Sequence, residues 1–349
     1  MTSAHDDPID TLTADAIRLA RLGQTGEARE RVDRAHRSVG AAASPARRAA
    51  LTLALAYILF FEARLEEAVD TINQARDLAA AARSTDLEAE CDATLALFHT
   101  RSGKMEDTVR LARRALALAS ETADAVRYRA HLALATVMQV AGLPEAFAEY
   151  RAARECARRV KDDFAVAAAF HRMAVAQAID ARQQFEAGRM QTEAARQAIV
   201  GLQSSMEMTA SIAPAATKVV DGLMLAQLYL LTGELNRADA LYAELLPRAR
   251  AEGHGPVMAH AYAEYASCQA KAGRPDLARD LLREALDYDR QGLDPLSRGV
   301  LYRAAAATYQ ALGETDEAAR FDALAHKAWD EFAAKQAQWR ALLKMNDGV

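Results

Sequence analysis

Eight small residues recur along the chain at turn-like positions: Gly23, Ala63, Gly103, Gly142, Gly188, Gly233, Gly273 and Gly313, separated by 40, 40, 39, 46, 45, 40 and 40 residues. Seven residues before each stands an alanine: Ala16, Ala56, Ala96, Ala135, Ala181, Ala226, Ala266 and Ala306. A fixed period of this size belongs to stacked helical hairpins, whose core grows along an axis because each unit packs only on its neighbours. A chain of 349 residues therefore need not divide into the two or three globular domains that its length alone suggests.

About half the residues are apolar, and aromatics are few. The net charge of −5 comes from 43 basic and 48 acidic residues, with the two signs interspersed. No lysine- or arginine-rich stripe is present, so a nucleic-acid partner is not expected. The polar start, Met1 to Pro8, lacks a signal-peptide pattern. The longest apolar run, Leu51 to Phe61, is too short to span a bilayer. Cys91, Cys156 and Cys268 are far apart and odd in number, which reads as packing residues in a reducing cytoplasm.

Each repeat divides at its turn into a preceding helix A and a following helix B. Pro45, Pro256 and Pro295 open A helices, and Pro144 and Pro275 open B helices, because the first helical position needs no N–H. Thr85 with Glu88 has the spacing of a capping box. Glu106/Arg110 and Asp316/Arg320 lie one turn apart on solvated faces.

Small residues also follow the turn at +5 and +12, as in Gly23/Ala28/Ala35, Ala63/Ala68/Ala75, Gly273/Ala278/Ala285 and Gly313/Ala318/Ala325. Gly103/Thr108/Ala115 and Gly233/Ala238/Leu245 follow with one substitution each. With the alanine at −7, this order resembles the tetratricopeptide (TPR) pattern over nearly the whole chain, in the long-repeat variety of bacterial regulators and sensors. The resemblance implies an all-α, right-handed α-solenoid of about eight TPR-like hairpins. The fourth repeat departs by one residue, with Ala146 and Ala153 at +4 and +11, and the register around Gly188 is ambiguous. Residues 203–214, rich in Ser, Thr and Met and ending in Pro, read as a loop. The expected division is repeats 1–5 over 1–205, a loop or hinge over 206–213, and repeats 6–8 over 214–349. Trp329, Phe332 and Trp339 lie in a final helix that either caps the stack or offers a surface for a partner or a second copy.

No catalytic or cofactor motif is present: no glycine-rich phosphate loop, GxSxG, HExxH or paired cysteines. His254 and His260, six apart, do not share a helical face, and His99 and His131 stand at different repeat positions. No metal site is expected. In TPR superhelices the A helices line the concave face, so the resemblance assigns that face to positions −13, −10, −6, −3 and −2. The second repeat supplies Leu53, Tyr57, Phe60 and Phe61, on a helix apolar all round. The lack of a polar stripe implies that a ligand, a partner or the chain's own winding covers it. Later repeats supply Leu97, Thr100 and Arg101; Thr136 and Gln139; Arg182, Phe185 and Glu186; and Gln227, Leu230 and Leu231. Arg101 and Arg182 are candidates to receive a carboxylate.

The resulting expectation is a non-catalytic cytoplasmic scaffold or adaptor holding a protein or peptide in its groove. A ligand-sensing module acting on a separate output protein, such as a diguanylate cyclase, is the alternative, and an enzyme is the remote one. Peptide-pheromone receptors with long TPR repeats are related, but the segment before Ile9 leaves no room for their customary helix-turn-helix. The carboxylate clamp of chaperone-binding TPR domains is not expected, because Asn73, Asn236 and Asn346 all fall outside the A helices.

Overall fold

The computed structural model describes residues 8–39, 43–186, 188, 192–212, 216–253, 255–289 and 292–345. Among them run sixteen helices: α1 (Pro8–Arg21), α2 (Thr25–Val39), α3 (Pro45–Phe61), α4 (Leu65–Ala81), α5 (Thr85–Ser102), α6 (Met105–Leu118), α7 (Asp124–Val140), α8 (Ala146–Val160), α9 (Asp163–Glu186), α10 (Thr192–Ala210), α11 (Ala216–Leu231), α12 (Leu235–Ala251), α13 (Gly255–Lys271), α14 (Pro275–Asp289), α15 (Pro295–Ala311) and α16 (Thr315–Met345). Odd-numbered helices are the A helices and even-numbered ones the B helices. The fold is an all-α stack of TPR-like hairpins, an α-solenoid.

All eight turn residues have left-handed backbone, with φ between 61° at Ala63 and 82° at Gly233. In seven repeats the next residue donates its N–H to the carbonyl five residues back, as from Gln24 to Leu19 (3.0 Å) and Glu314 to Tyr309 (2.9 Å). This closes the A helix with a Schellman motif and reverses the chain within three residues. Every alanine at −7 is buried, as are the small residues at +5 and +12. Their lack of bulk lets helices A and B of one hairpin cross closely.

Helix starts follow local chemistry, with three corrections. Ser44 caps α3 and Asp294 caps α15 by accepting N–H bonds from the first turn. The cap of α5 is Ser84, which accepts from Leu87 N–H, not Thr85, and Glu88 reaches across to Arg114 at 2.9 Å. Helix α8 starts at Ala146, two residues beyond Pro144. The B-helix arginines choose the acid three residues back, Asp107 for Arg110 and Glu317 for Arg320, in place of the expected acids four back.

The chain forms two compact units. Unit 1 holds residues 1–170, 212–214 and 339–349; unit 2 holds 171–211 and 215–338. The chain passes between the units inside α9, at 211/212 and 214/215 around the expected segment 206–213, and inside α16. Residues 203–210 are the final turns of α10, not a loop. Their polar groups find partners within the helix and on its neighbours: Thr209 Oγ1 donates to Ser205 O at 2.7 Å, and the buried Ser205 Oγ lies 3.2 Å from His171 Nδ1 of α9. Pro214 lies outside the described residues.

In unit 1 the A helices α1, α3, α5 and α7 touch in order, each also packing on its own B helix. Residues 339–345 of α16 complete this unit. Leu343 is buried in the α3–α7 core, Trp339 packs against it, and Arg340 Nε donates to Ala141 O at 2.7 Å. In unit 2, α11, α13 and α15 touch in order, and the core runs continuously from α9 to α15. There Trp329 lies flat on Gly299 of α15, where an added Cβ would stand only 2.9 Å from the ring. Phe332 is buried. Phe332 is therefore not an exposed surface for a second copy, whereas Trp329 and Trp339 are half-buried.

Candidate functional site

Three cavities lie along A helices, and fewer than half of their lining residues come from the positions expected to face the groove. The largest, about 540 Å³, is in unit 1. Ala14, Ile17, Arg18, Arg21 and Leu22 of the first repeat form one wall. Glu90 of α5 and Arg129 of α7, both at −13, form another. Lys161, Asp162, Asp163 and Phe164, at the α8–α9 turn, close it together with Ile212. The first repeat thus meets the fourth and fifth, which turns this end of the groove into a half-open pocket.

Charge dominates one side of this pocket. Arg21 Nη1 pairs with Asp162 Oδ2 at 2.6 Å, and Asp162 Oδ1 accepts Ala165 N–H at 3.0 Å, capping α9. The Arg21 guanidinium stands 5.7 Å from the ring centres of both Tyr57 and Phe164. Arg129, only 5% exposed, donates from Nη1 to Ala125 O at 3.2 Å and lies 3.3 Å from Glu90 Oε1 through Nη2. It stands 5.6 Å from the Tyr57 ring, within the range of a cation–π attraction. Arg129 Nε is buried and has no hydrogen-bond partner.

Leu53 and Tyr57 were expected to line the groove but belong to the core. Tyr57 Oη bonds Thr94 Oγ1 at 3.2 Å, and its ring meets Phe98 edge-on. The chain's own winding covers the apolar α3. Phe60 stacks on Phe98 at 4.0 Å between centres, and Arg101 lies over Phe60. Phe61 and Phe185 are exposed, and Leu97 and Leu230 are half-buried. Thr100 and Thr136 already donate to carbonyls of their own helices, and Gln139 Oε1 accepts from Tyr150 Oη at 2.5 Å.

Arg182 is corrected outright. It is buried in unit 2 against Glu264, with Glu186 at 3.8 Å, so it has no free charge for a ligand. Glu264 also accepts from Gln227 Nε2 (2.6 Å) and Tyr242 Oη (3.0 Å). Burial pushes the Glu264 carboxyl up, against the pull of Arg182. Glu186 takes a further bond from Arg303 Nε at 2.9 Å, and Arg303 continues to Asp322. Beside this network a cavity of about 110 Å³ is lined by Gln227, His260, Glu264 and five apolar residues. Burial lowers His260 to about 4 and leaves its Nε2 without a partner. A third cavity, about 410 Å³, lies between α15 and α16 around Arg303, Gln310 and Asp322. His254 lies outside the described residues. Among them, no cluster of three metal-ligating side chains occurs and no helix is long and apolar enough to cross a membrane.

Ile17, Arg21, Glu90 and Arg129 occupy groove positions −6, −2, −13 and −13, outside the aromatic second repeat. The signal that could have found Glu90 and Arg129 is charge at −13, where Ala50, Val175, Val220 and Val300 are apolar; Arg21 carries no such signal, because Arg101, Glu186 and Lys271 share its position.

No family model and no curated protein matches the sequence. Solved structures share the fold end to end. A Rap protein complexed with Competence and Sporulation Factor is 12% identical with a TM-score of 0.56, over 94% of this chain and 99% of that one. Aspartyl phosphate phosphatase F from Bacillus subtilis is 10% identical, TM-score 0.53, over 94% and 96%. NprR in complex with its cognate peptide NprX is 13% identical, TM-score 0.53, over 99% and 100%. At these identities the likeness establishes the fold: this is a TPR-like helical-repeat protein.

Proposed function

We propose that the chain is a non-catalytic bacterial regulator that binds a peptide or a peptide-like segment of a protein on its A-helix side, in the unit 1 cavity. The observation that carries this reading is the cavity itself: about 540 Å³, walled by residues from five A helices or their junctions, with apolar and charged sides. A pocket of that size and mixed lining suits a few side chains of a bound segment. The end-to-end fold likeness to a structure holding its cognate peptide supports the same assignment. A cytoplasmic setting agrees with three buried cysteines that remain free thiols.

The test uses an exposed lining residue. Ala14→Trp fills the pocket from α1 without removing a buried contact. Octapeptides selected from a random library on the wild-type chain should lose at least tenfold in affinity for Ala14→Trp, with the far-UV circular dichroism unchanged. Undiminished binding of the selected peptides by this variant places the ligand elsewhere.

A further inference from the structure

We infer that the unit 1 cavity selects a carboxylate: the segment it takes is an acidic peptide with an aliphatic neighbour beside the acid, received by Arg129. This rests on the peptide reading above and names the chemistry of its ligand.

The pocket contains four cations, Arg18, Arg21, Arg129 and Lys161, against three carboxylates, Glu90, Asp162 and Asp163. The acids are largely committed. Asp162 is held between Arg21 and the Ala165 amide, and Asp163 occupies the first turn of α9, where the helix dipole favours it. Glu90, partly exposed, satisfies one edge of Arg129 only. Burial makes an unfilled donor on a guanidinium costly, and natural cores rarely retain one. Arg129 Nε is such a donor, on a side chain that lines the cavity and is almost completely withdrawn from water. The planar fork of a guanidinium fits a carboxylate with two parallel bonds, one of them from Nε. Ile17, Leu22 and Phe164 supply an apolar wall next to it, so an isolated acid would use only part of the pocket. Lys161, exposed on the lining, adds a positive charge that draws anions in, whereas Arg18 is paired with Asp15 at 3.3 Å.

The carboxylate can come from an Asp or Glu side chain or from the peptide's own terminus, and the probes separate the two. Four octapeptide pools built on Leu, Ile, Val, Ala and Gly are compared by fluorescence anisotropy with the full chain: one with Asp and Glu and an amidated C-terminus, one with Asn and Gln and a free C-terminus, one with Asn and Gln and an amide, and one with Lys and Arg and an amide. Wild type should bind at least one carboxylate-bearing pool about tenfold or more tightly than the fully neutral pool, the yield of a charge-assisted bond. Arg129→Gln should abolish that preference, so that the carboxylate-bearing pools bind no more tightly than the neutral pool. Lys161→Asn keeps a residue tolerant of the left-handed backbone there (φ 58°) and should weaken the preference about threefold, a partial loss for an exposed charge.

Equal binding of all pools, a preference for the neutral or basic pool, or a carboxylate preference that survives Arg129→Gln overturns the inference and leaves the peptide reading standing. Failure of every pool to bind wild type overturns both.

Discussion

Leu245 stands where five other repeats place an alanine, twelve after the turn, and Gly222 is what makes room for it. A Cβ built on Gly222 would lie 2.3 Å from Leu245 Cδ1, and Leu245 is buried. The departure from the repeat pattern is therefore compensated one helix away, in α11. An alanine at Gly222 gains about 1 kcal/mol of helix propensity but must displace a packed leucine, a clash that typically costs about 1–3 kcal/mol. Gly222→Ala is expected to destabilise the chain by about 1 kcal/mol net. In a Leu245→Ala background the clash is gone, and the same substitution should stabilise by about 1 kcal/mol. Urea denaturation of the four proteins checks the change of sign. Equal effects in both backgrounds would show that the two side chains do not compete for one space.

At the scale of the helices, turn chemistry was the most legible layer, because a left-handed residue and its five-back hydrogen bond depend on neighbours in sequence. Gly23 through Gly313 and the alanines seven residues before them needed no knowledge of long-range packing. Helix α10 shows where this stops. The Ser, Thr and Met content of 203–210 suits a loop equally well until Ser205 is seen to be buried beside His171. The groove positions were legible as a set, but which of them converge depended on how tightly unit 1 winds. Arg21 and Asp162 are 141 residues apart and 2.6 Å in space. Arg182 illustrates the opposite outcome, a charge at a groove position that faces its own neighbours. Arg182→Met would leave Glu264 buried with only the Gln227 and Tyr242 donors, a loss of about 3–5 kcal/mol by the usual cost of breaking a buried pair from one side. Adding Glu264→Gln should recover most of that loss, because the orphaned charge is then removed. A double-mutant cycle in urea measures the recovery. If the double variant is no more stable than Arg182→Met alone, Glu264 is not the group that Arg182 neutralises.

For the chain as a whole, stability should carry a pH signature traceable to one carboxyl. Asp221 of α11 is 4% exposed, and burial pushes its pKa from 3.8 up to about 7. His171 Nδ1 lies 3.5 Å away, but burial holds that ring down at about 4, so it stays neutral and offers no countercharge. The folded chain therefore keeps the Asp221 proton up to about pH 7, whereas the unfolded chain releases it near 3.8. The unfolded state binds fewer protons in that interval, so this group's contribution to stability is complete below pH 3.8 and is lost as pH rises to 7. At about 1.36 kcal/mol per pH unit the interval amounts to at most roughly 4 kcal/mol. Asp221→Asn preserves the shape of the side chain and cannot ionise. Relative to wild type it should be neutral or slightly destabilising at pH 4, and more stable by about 2 kcal/mol or more at pH 8. Denaturation of both proteins at the two pH values tests this, because every other titrating group is common to them and cancels in the difference. A variant whose disadvantage grows with pH would mean that Asp221 is ionised in the folded chain and paired with a protonated His171.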